Sequence, residues 1–209
     1  MDKVITRIEQ QKNNPDRVNI FIDGDFAFPL SRIAASWLKT GQNISEVKIQ
    51  NLKAEDAKEK TLTKALRYIA FKPRTEFEVE QKLKKNGACE TDINYVLERL
   101  RESEVINDER FAREWVETRS SSKPRGQRLL RFELLGKHIS EENISDAMQA
   151  VPPEKESAEK AAQSYAARLR GKDYEDFKKR LTGFLLRRGF HWEVVSQVTQ
   201  KVWKEENQA

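Results

Sequence analysis

Hydrophobic positions follow two different rhythms along this chain. Over roughly the first 45 residues they alternate. "VITRIEQQ" and "RVNIFIDG" are rich in β-branched residues with a period of two, and "DFAFPLS" comes directly after. That is the pattern of half-buried strands. Asn13-Asn14-Pro15-Asp16 is a turn cluster, and Asp23-Gly24 is a strong signal for a tight hairpin. The pattern predicts a small antiparallel meander of three strands. "LSRIAASWL" then predicts a short helix stopped by Thr40-Gly41. Three short strands bury little by themselves, so the meander is expected to pack on the segment downstream of it. Its strands share no phase with the later helices, and residues 1–44 are expected to be dispensable for their folding. Asp23 and Asp25 flank a glycine, but no third carboxylate is suitably spaced, so a turn is a better reading than a metal site.

From Ser45 onward the period changes to that of a helix. Ser45 is placed to cap a long charged helix through "AEDAKEKTLTKALRYIAF", which Pro73 stops. Thr75 then opens the next helix with Glu78 three residues on, a capping box. The tripeptide Lys72-Pro73-Arg74 recurs as Lys123-Pro124-Arg125, 51 residues later. The same offset aligns Leu83 with Leu134 and Leu185, Gly87 with His138 and Gly189, and Ala88 with Ile139 and Phe190. Further on it aligns Ile93 with Ile144 and Val195, Val96 with Ala147 and Val198, and Leu100 with Val151 and Val202. Independent helices would not keep every apolar column in phase. The third copy carries Tyr174-Glu175-Asp176 in place of the tripeptide, and Asp173 can cap its middle helix.

The repeating unit is therefore a three-helix module, present three times. Each is too small for a large core of its own, so neighbours must stack. The expected fold is mainly α: three tandem three-helix repeats in an elongated curved array, preceded by a small β-rich N-terminal extension. The expected divisions are 1–44 for the extension, 45–106 for a linker helix and the first repeat, 107–151 for the second repeat, and 152–209 for the third repeat and C-terminal tail. Pro152-Pro153 punctuates the last boundary.

Charge adds a location to this picture. Net charge is +5, but Arg119 to Lys137 holds six basic residues against the single acid Glu133, and Arg168 to Arg188 holds eight against three. Such localised charge points to a polyanion or an acidic protein partner. The single Cys89 cannot form an internal disulfide, and His138 and His191 offer no metal-ligand spacing. No cofactor is expected. No phosphate loop, nucleophile–base pair or carboxylate dyad is visible, so the chain is not expected to be an enzyme. "MDKVITRIEQ" has no secretory core and no long apolar run occurs, so a cytoplasmic protein without a membrane partner is expected.

The order of motifs carries a resemblance. Ala65-Leu66-Arg67-Tyr68 with Arg74, Thr75 and Glu78 is followed by Asn107-Asp108, Phe111, Ala112 and Trp115. Gly126, Leu130, Glu133, Leu134, Lys137 and Ile139 come next, and "FLLRRGFHWEVV" closes the third repeat. In this order they resemble the bacterial regulatory protein RecX family over about residues 45–203, and the β-rich start resembles an extension found in some members. His138 stands where the family usually has glycine. The resemblance implies tandem three-helix repeats with a basic face. It also implies a non-enzymatic, monomeric modulator of the RecA recombinase that lies in the groove of the filament on single-stranded DNA. There it would restrain filament growth, ATP hydrolysis and strand exchange, in recombination, DNA repair and the SOS response.

The residues name candidate contacts for such a role. Arg67, Lys72 and Arg74 cluster at the corner of the first repeat, and Arg119, Lys123 and Arg125 at the equivalent corner of the second. Arg128 and Arg131 lie three apart on one helix face. Arg187 and Arg188 end the middle helix of the third repeat, matching Lys84 and Lys85 in the first. Cations at helix ends also complement the dipole without any partner. The cations flanking both prolines are expected to be exposed and replaceable, and the prolines themselves to be structural. Tyr68, Trp37, Phe111 and Trp115 are candidates for stacking on bases, although Phe111 and Trp115, four apart beside Ala112, fit a core stripe better. A standalone DNA-binding protein is the alternative reading, for which Gln127-Arg128 comes nearest to a base-reading pair. A nuclease would need an acidic metal constellation that the sequence lacks.

Overall fold

In the alternating segment buried side chains recur at every second residue through Val18, Ile20 and Ile22 and again at Phe28 and Leu30. In the computed structural model, which describes residues 3–208, β1 (Lys3–Gln11), β2 (Asn14–Ile22) and β3 (Asp25–Ser31) pair antiparallel. A two-residue β4 (Asn43–Ile44) adds to the other edge of β1, giving the order β3-β2-β1-β4. The expected meander is present, extended by this fourth strand. The first turn falls at Lys12 and Asn13, so Asn14, Pro15 and Asp16 already belong to β2. Asp23 and Gly24 make the second turn, both with positive φ. The Asp23 carboxylate accepts from the Val4 N–H at 3.0 Å, which ties the turn to β1.

"LSRIAASWL" is not a helix. Arg32 to Trp37 form a succession of turns, with i→i+3 bonds such as Ser36 N–H to Ile33 C=O at 3.1 Å. Only Ala35 is buried there, while Ile33 and Trp37 are 83% and 85% exposed. An apolar pair four residues apart looks helical in sequence, but with nothing to pack on it cannot repay helix nucleation.

Helix α1 (Glu46–Ile69) starts at Ser45, whose hydroxyl accepts from the Lys48 N–H at 3.3 Å. Its first turns belong to the strand core. Ile49 and Leu52 are buried with Ile5, Ile20, Phe28 and Leu30. The next position on that stripe is Asp56, whose side chain is 4% exposed. Arg17 from β2 grips both carboxylate oxygens, at 3.2 and 3.0 Å. The Ser31 N–H donates at 2.8 Å and Lys60 pairs at 2.8 Å. Burial pushes the Asp56 pKa up, but the bonds from Arg17, Lys60 and Ser31 outweigh it and hold the carboxyl below its usual range. The strands therefore supply both the apolar cover and the counter-charge for the start of α1. That revises the expectation that residues 1–44 are dispensable.

The remaining helices come in threes. α2 (Glu76–Lys85) and α3 (Glu90–Glu102) follow the end of α1; α4 (Asp108–Ser122), α5 (Gln127–Leu135) and α6 (Glu141–Met148) form the second set; α7 (Glu154–Ala166), α8 (Tyr174–Arg187) and α9 (Trp192–Gln208) form the third. Asn107 and Asp173 cap α4 and α8 through their side chains, and Thr75 and Glu78 exchange the reciprocal bonds of a capping box. Leu83, Leu134 and Leu185 are all fully buried, as are Val96, Ala147 and Val198. The 51-residue columns are thus columns of the folded cores. The third core adds an alanine stripe, Ala158, Ala161, Ala162 and Ala166.

The described chain divides into two compact units. One runs up to Lys72 and includes Val79–Ser103; the other comprises Pro73–Glu78 and the chain from Glu104 on. Among the described residues no helix is long and apolar enough to cross a membrane, and no group of His, Cys, Asp or Glu is arranged to hold a metal.

The depressed pKa of Asp56 fixes a sign. A carboxylate favoured in the folded state stabilises above its ordinary pKa, and that stability is lost as pH falls through the depressed value. Asp56→Asn should cost about 3 kcal/mol at neutral pH, because it leaves the half-buried Arg17 without its counter-charge. It should also flatten the acid limb of the stability curve. Urea midpoints measured from neutral to acid pH check both; parallel acid limbs for variant and wild type would refute the assignment.

Candidate functional site

The repeat has a recurring loop between its second and third helices. Gly87, His138 and Gly189 occupy it, and all three take positive φ, at 76°, 58° and 82°. In each, the next residue's N–H bonds back to the buried leucine column: Ala88 to Leu83 at 3.2 Å, Ile139 to Leu134 at 3.2 Å and Phe190 to Leu185 at 3.4 Å. This is the left-handed helix C-cap that glycine favours. His138 adopts it at a steric cost, and its ring stacks on Phe77 with centroids 3.5 Å apart. The cap forms with histidine because the side chain gains a partner that glycine could not use.

The caps at His138 and Gly189 receive the Lys-Pro-Arg corners. The carbonyl of Lys137, just before His138, accepts from the Thr75 hydroxyl at 3.2 Å. The carbonyl of Arg188, just before Gly189, accepts from the Gly126 N–H at 2.8 Å. Thr75 and Gly126 are equivalent in the repeat, and so are Lys137 and Arg188. The corner of one repeat thus docks on the cap of the next. The first joint adds Lys137 Nζ to Glu78 at 2.8 Å, while Asp108 accepts from the Glu76 N–H at 2.9 Å. Burial raises the Asp108 pKa. Burial also opposes ionisation of Glu78, but Lys137, the Thr75 N–H and Arg74 prevail and lower its pKa. The second joint adds Arg188 Nη1 to the Pro124 carbonyl at 3.1 Å. Here the backbones nearly touch: a Cβ on Gly126 would run into the Gly189 carbonyl.

The predicted cations separate into two groups. Arg67, Lys72, Lys85, Lys123, Arg128 and Arg187 are exposed. Lys84 pairs with Glu80 at 2.6 Å, and Arg131 pairs with Glu141. Arg74, Arg119, Arg125 and Arg188 are half-buried. Arg74 lies 3.9 Å from Glu78. Arg125 pairs with Glu133, and Arg119 Nε approaches the same carboxylate at 3.7 Å. The arginines of the two tripeptides are therefore partly structural, contrary to the expectation that all four flanking cations are free. The lysines are the exposed members. The prolines differ too: Pro73 is exposed, whereas Pro124 is buried. Burial, followed by the neighbouring Arg119 and Arg188, pushes the Arg125 pKa down, and burial does the same to Arg188.

The aromatic candidates also separate. Phe111 is buried. Trp115 is half-buried, donates its indole N–H to Glu133 at 3.0 Å and stacks at 5.7 Å on Phe111. Tyr68 lies under Lys82 at 5.6 Å. Trp37 is exposed. Sequence reasoning missed Phe71 and Phe132, which are 88% and 71% exposed. Phe132 had a detectable signal: it sits off the apolar columns and four residues after Arg128.

Family comparisons agree with this geometry. Models of the RecX N-terminal domain and of the first, second and third RecX three-helix domains match residues 3–45, 62–100, 107–148 and 154–199. The regulatory protein RecX of Bacillus licheniformis is 31% identical over 201 residues, spanning 94% of this chain and 76% of its own. That of Clostridium botulinum is 30% identical, spanning 94% and 95%. The chain belongs to the RecX family. A crystal structure of regulatory protein RecX superposes with a TM-score of 0.73 at 28% identity, over 95% of this chain and 99% of that one. RecX from Lactobacillus salivarius gives 0.61 at 25% identity, over 70% and 97%. The match to the RecX N-terminal domain stops at the cap of α1, whereas the core of that region continues to Leu52 and the ion pairs to Asp56.

A glycine at a RecX joint and a glycine at a helix cap give a contrast. Gly126→Ala must separate two backbones and should destabilise the second unit by about 3 kcal/mol or more. Gly87→Ala meets open space and only positive φ, so it should cost about 1–2 kcal/mol. Urea denaturation of both variants checks the order, and equal destabilisation would show that the second joint is not tight.

Proposed function

We propose that this RecX-family protein is a non-enzymatic regulator of the RecA recombinase. It binds the filament on single-stranded DNA along its helical groove and restrains filament growth, ATP hydrolysis and strand exchange. It does so as a cytoplasmic monomer that needs no cofactor. The observation that carries this reading is the recurrence of an exposed lysine, Lys72 and then Lys123, beside equivalent docking corners of successive RecX repeats. A repeated cation suits a repeated polyanionic or filamentous target better than a single small ligand. The exposed Gln127 and Arg128 in the first turn of α5 support the second reading, a standalone DNA-binding protein. Filter binding with and without the recombinase separates the two.

Added to filaments already assembled on single-stranded DNA, the purified protein should slow steady-state ATP turnover. Unchanged turnover at saturating, folded protein would overturn the reading. The double variant Lys72→Ala/Lys123→Ala should keep its thermal stability, since exposed charges contribute only about 0–1 kcal/mol each. It should bind filaments more weakly, with a log–log salt slope lower by about 0.7 for each phosphate that the variant no longer neutralises. Affinity at several salt concentrations is the measurement; an unchanged slope would confine both lysines to the corner geometry.

A further inference from the structure

Around Glu133 the balance of charge is uneven. Arg125 pairs with its carboxylate, Arg119 Nε stands 3.7 Å away, and Arg188 Nη1 donates to the carbonyl of Pro124, the residue before Arg125. Two guanidinium groups share one carboxylate, and a third stands beside them. The Arg119 Nε is buried and has no hydrogen-bond partner. Like charges are not crowded and partly desolvated without something to offset them, and one carboxylate leaves two positive charges over.

The groups are also held in place. The Arg119 guanidinium lies over the Trp115 ring at 4.1 Å and that of Arg188 over Phe184 at 4.6 Å. Arg188 is anchored again by the Pro124 carbonyl at 3.1 Å. Glu133 is fixed by the indole N–H of Trp115 at 3.0 Å. Planar forks whose rotamers are already set lose little entropy when they bind a second oxyanion.

We propose that Arg119, Arg125 and Arg188 form a binding site for a phosphodiester of single-stranded nucleic acid, in which the Glu133 carboxylate is a built-in counterion that the phosphate displaces. A protein carboxylate would supply only what Glu133 supplies already. A nucleic-acid strand supplies further phosphates and bases, and α5 carries groups for both. Arg128 and Phe132 are exposed, four residues apart on one face of that helix, where Phe132 can stack a base beside the next phosphate. This shares with the function proposed above the premise that a basic corner meets nucleic acid, but it needs no recombinase, so either can fail alone.

The test uses the full chain and an oligothymidylate, without recombinase. Glu133→Gln keeps an acceptor for the Trp115 indole and removes the competing charge. It should bind the oligonucleotide more tightly at low salt, by about 3- to 10-fold. Arg119→Gln and Arg125→Gln should each weaken binding by a similar factor. In the wild type, the indole N–H resonance of Trp115, assigned with Trp115→Phe, should shift on titration. An oligonucleotide with neutral methylphosphonate linkages should not shift it, and an oligoglutamate peptide should not compete. If Glu133→Gln binds no tighter than wild type, Glu133 is a structural ion-pair partner and the proposal fails. A Trp115 signal unmoved at saturation, or displacement of the oligonucleotide by the acidic peptide, would overturn it without recourse to any variant.

Discussion

Everything in the second unit depends on a single type of hydrogen bond, the one that a corner donates to the main-chain carbonyl just before a left-handed helix cap. A helix of nine or ten residues is marginal by itself, and the second repeat buries only a small apolar cluster. Docking solves two problems together. It satisfies a carbonyl that the helix end leaves open, and it fixes the register between successive cores. Proline ends the preceding helix, and the donor two residues later reaches the next cap.

The joints also explain the high charged fraction. A thin core leaves many polar groups half-buried, and here they are paired across elements: Arg17 with Asp56, Lys137 with Glu78, Arg125 with Glu133. Such pairs add little net energy over an apolar packing of the same shape, but breaking one is costly. They therefore act more as specifiers of register than as sources of stability. Asp56 shows it most directly, since a leucine there would continue the apolar stripe of α1 yet would not select Arg17 and the Ser31 backbone as neighbours.

Much of the fold was legible because it rests on local period. The repeat columns, the capping box at Thr75 and Glu78, the caps at Ser45 and Asp173, and the turn at Asp23-Gly24 all rest on residues close in sequence. What was not legible depends on contacts between distant residues. Asp56 reads as one more charge on a charged helix until β2 and β3 are folded beside it. The pairing of β4 with β1 leaves only two residues as a signal. Ile33 and Trp37 mimic a helix because spacing says nothing about whether a stripe has a partner. The candidate site was read at the level of charge, and free and engaged cations look alike in sequence. Arg125 and Lys123 differ only in that Glu133, eight residues on from the arginine, lies within its reach.

The choice of a main-chain carbonyl as acceptor bears on how such a chain can diverge. A carbonyl is present whatever residue carries it, so Lys137 and Arg188 serve equally well. The donor can be a threonine hydroxyl at one joint and a glycine amide at the other. The acceptor side of the contact demands no particular side chain. Drift can therefore erase the resemblance between duplicated modules, and between relatives, long before it uncouples them. Selection has only to preserve a backbone shape: a helix that stops, and a cap that turns left-handed.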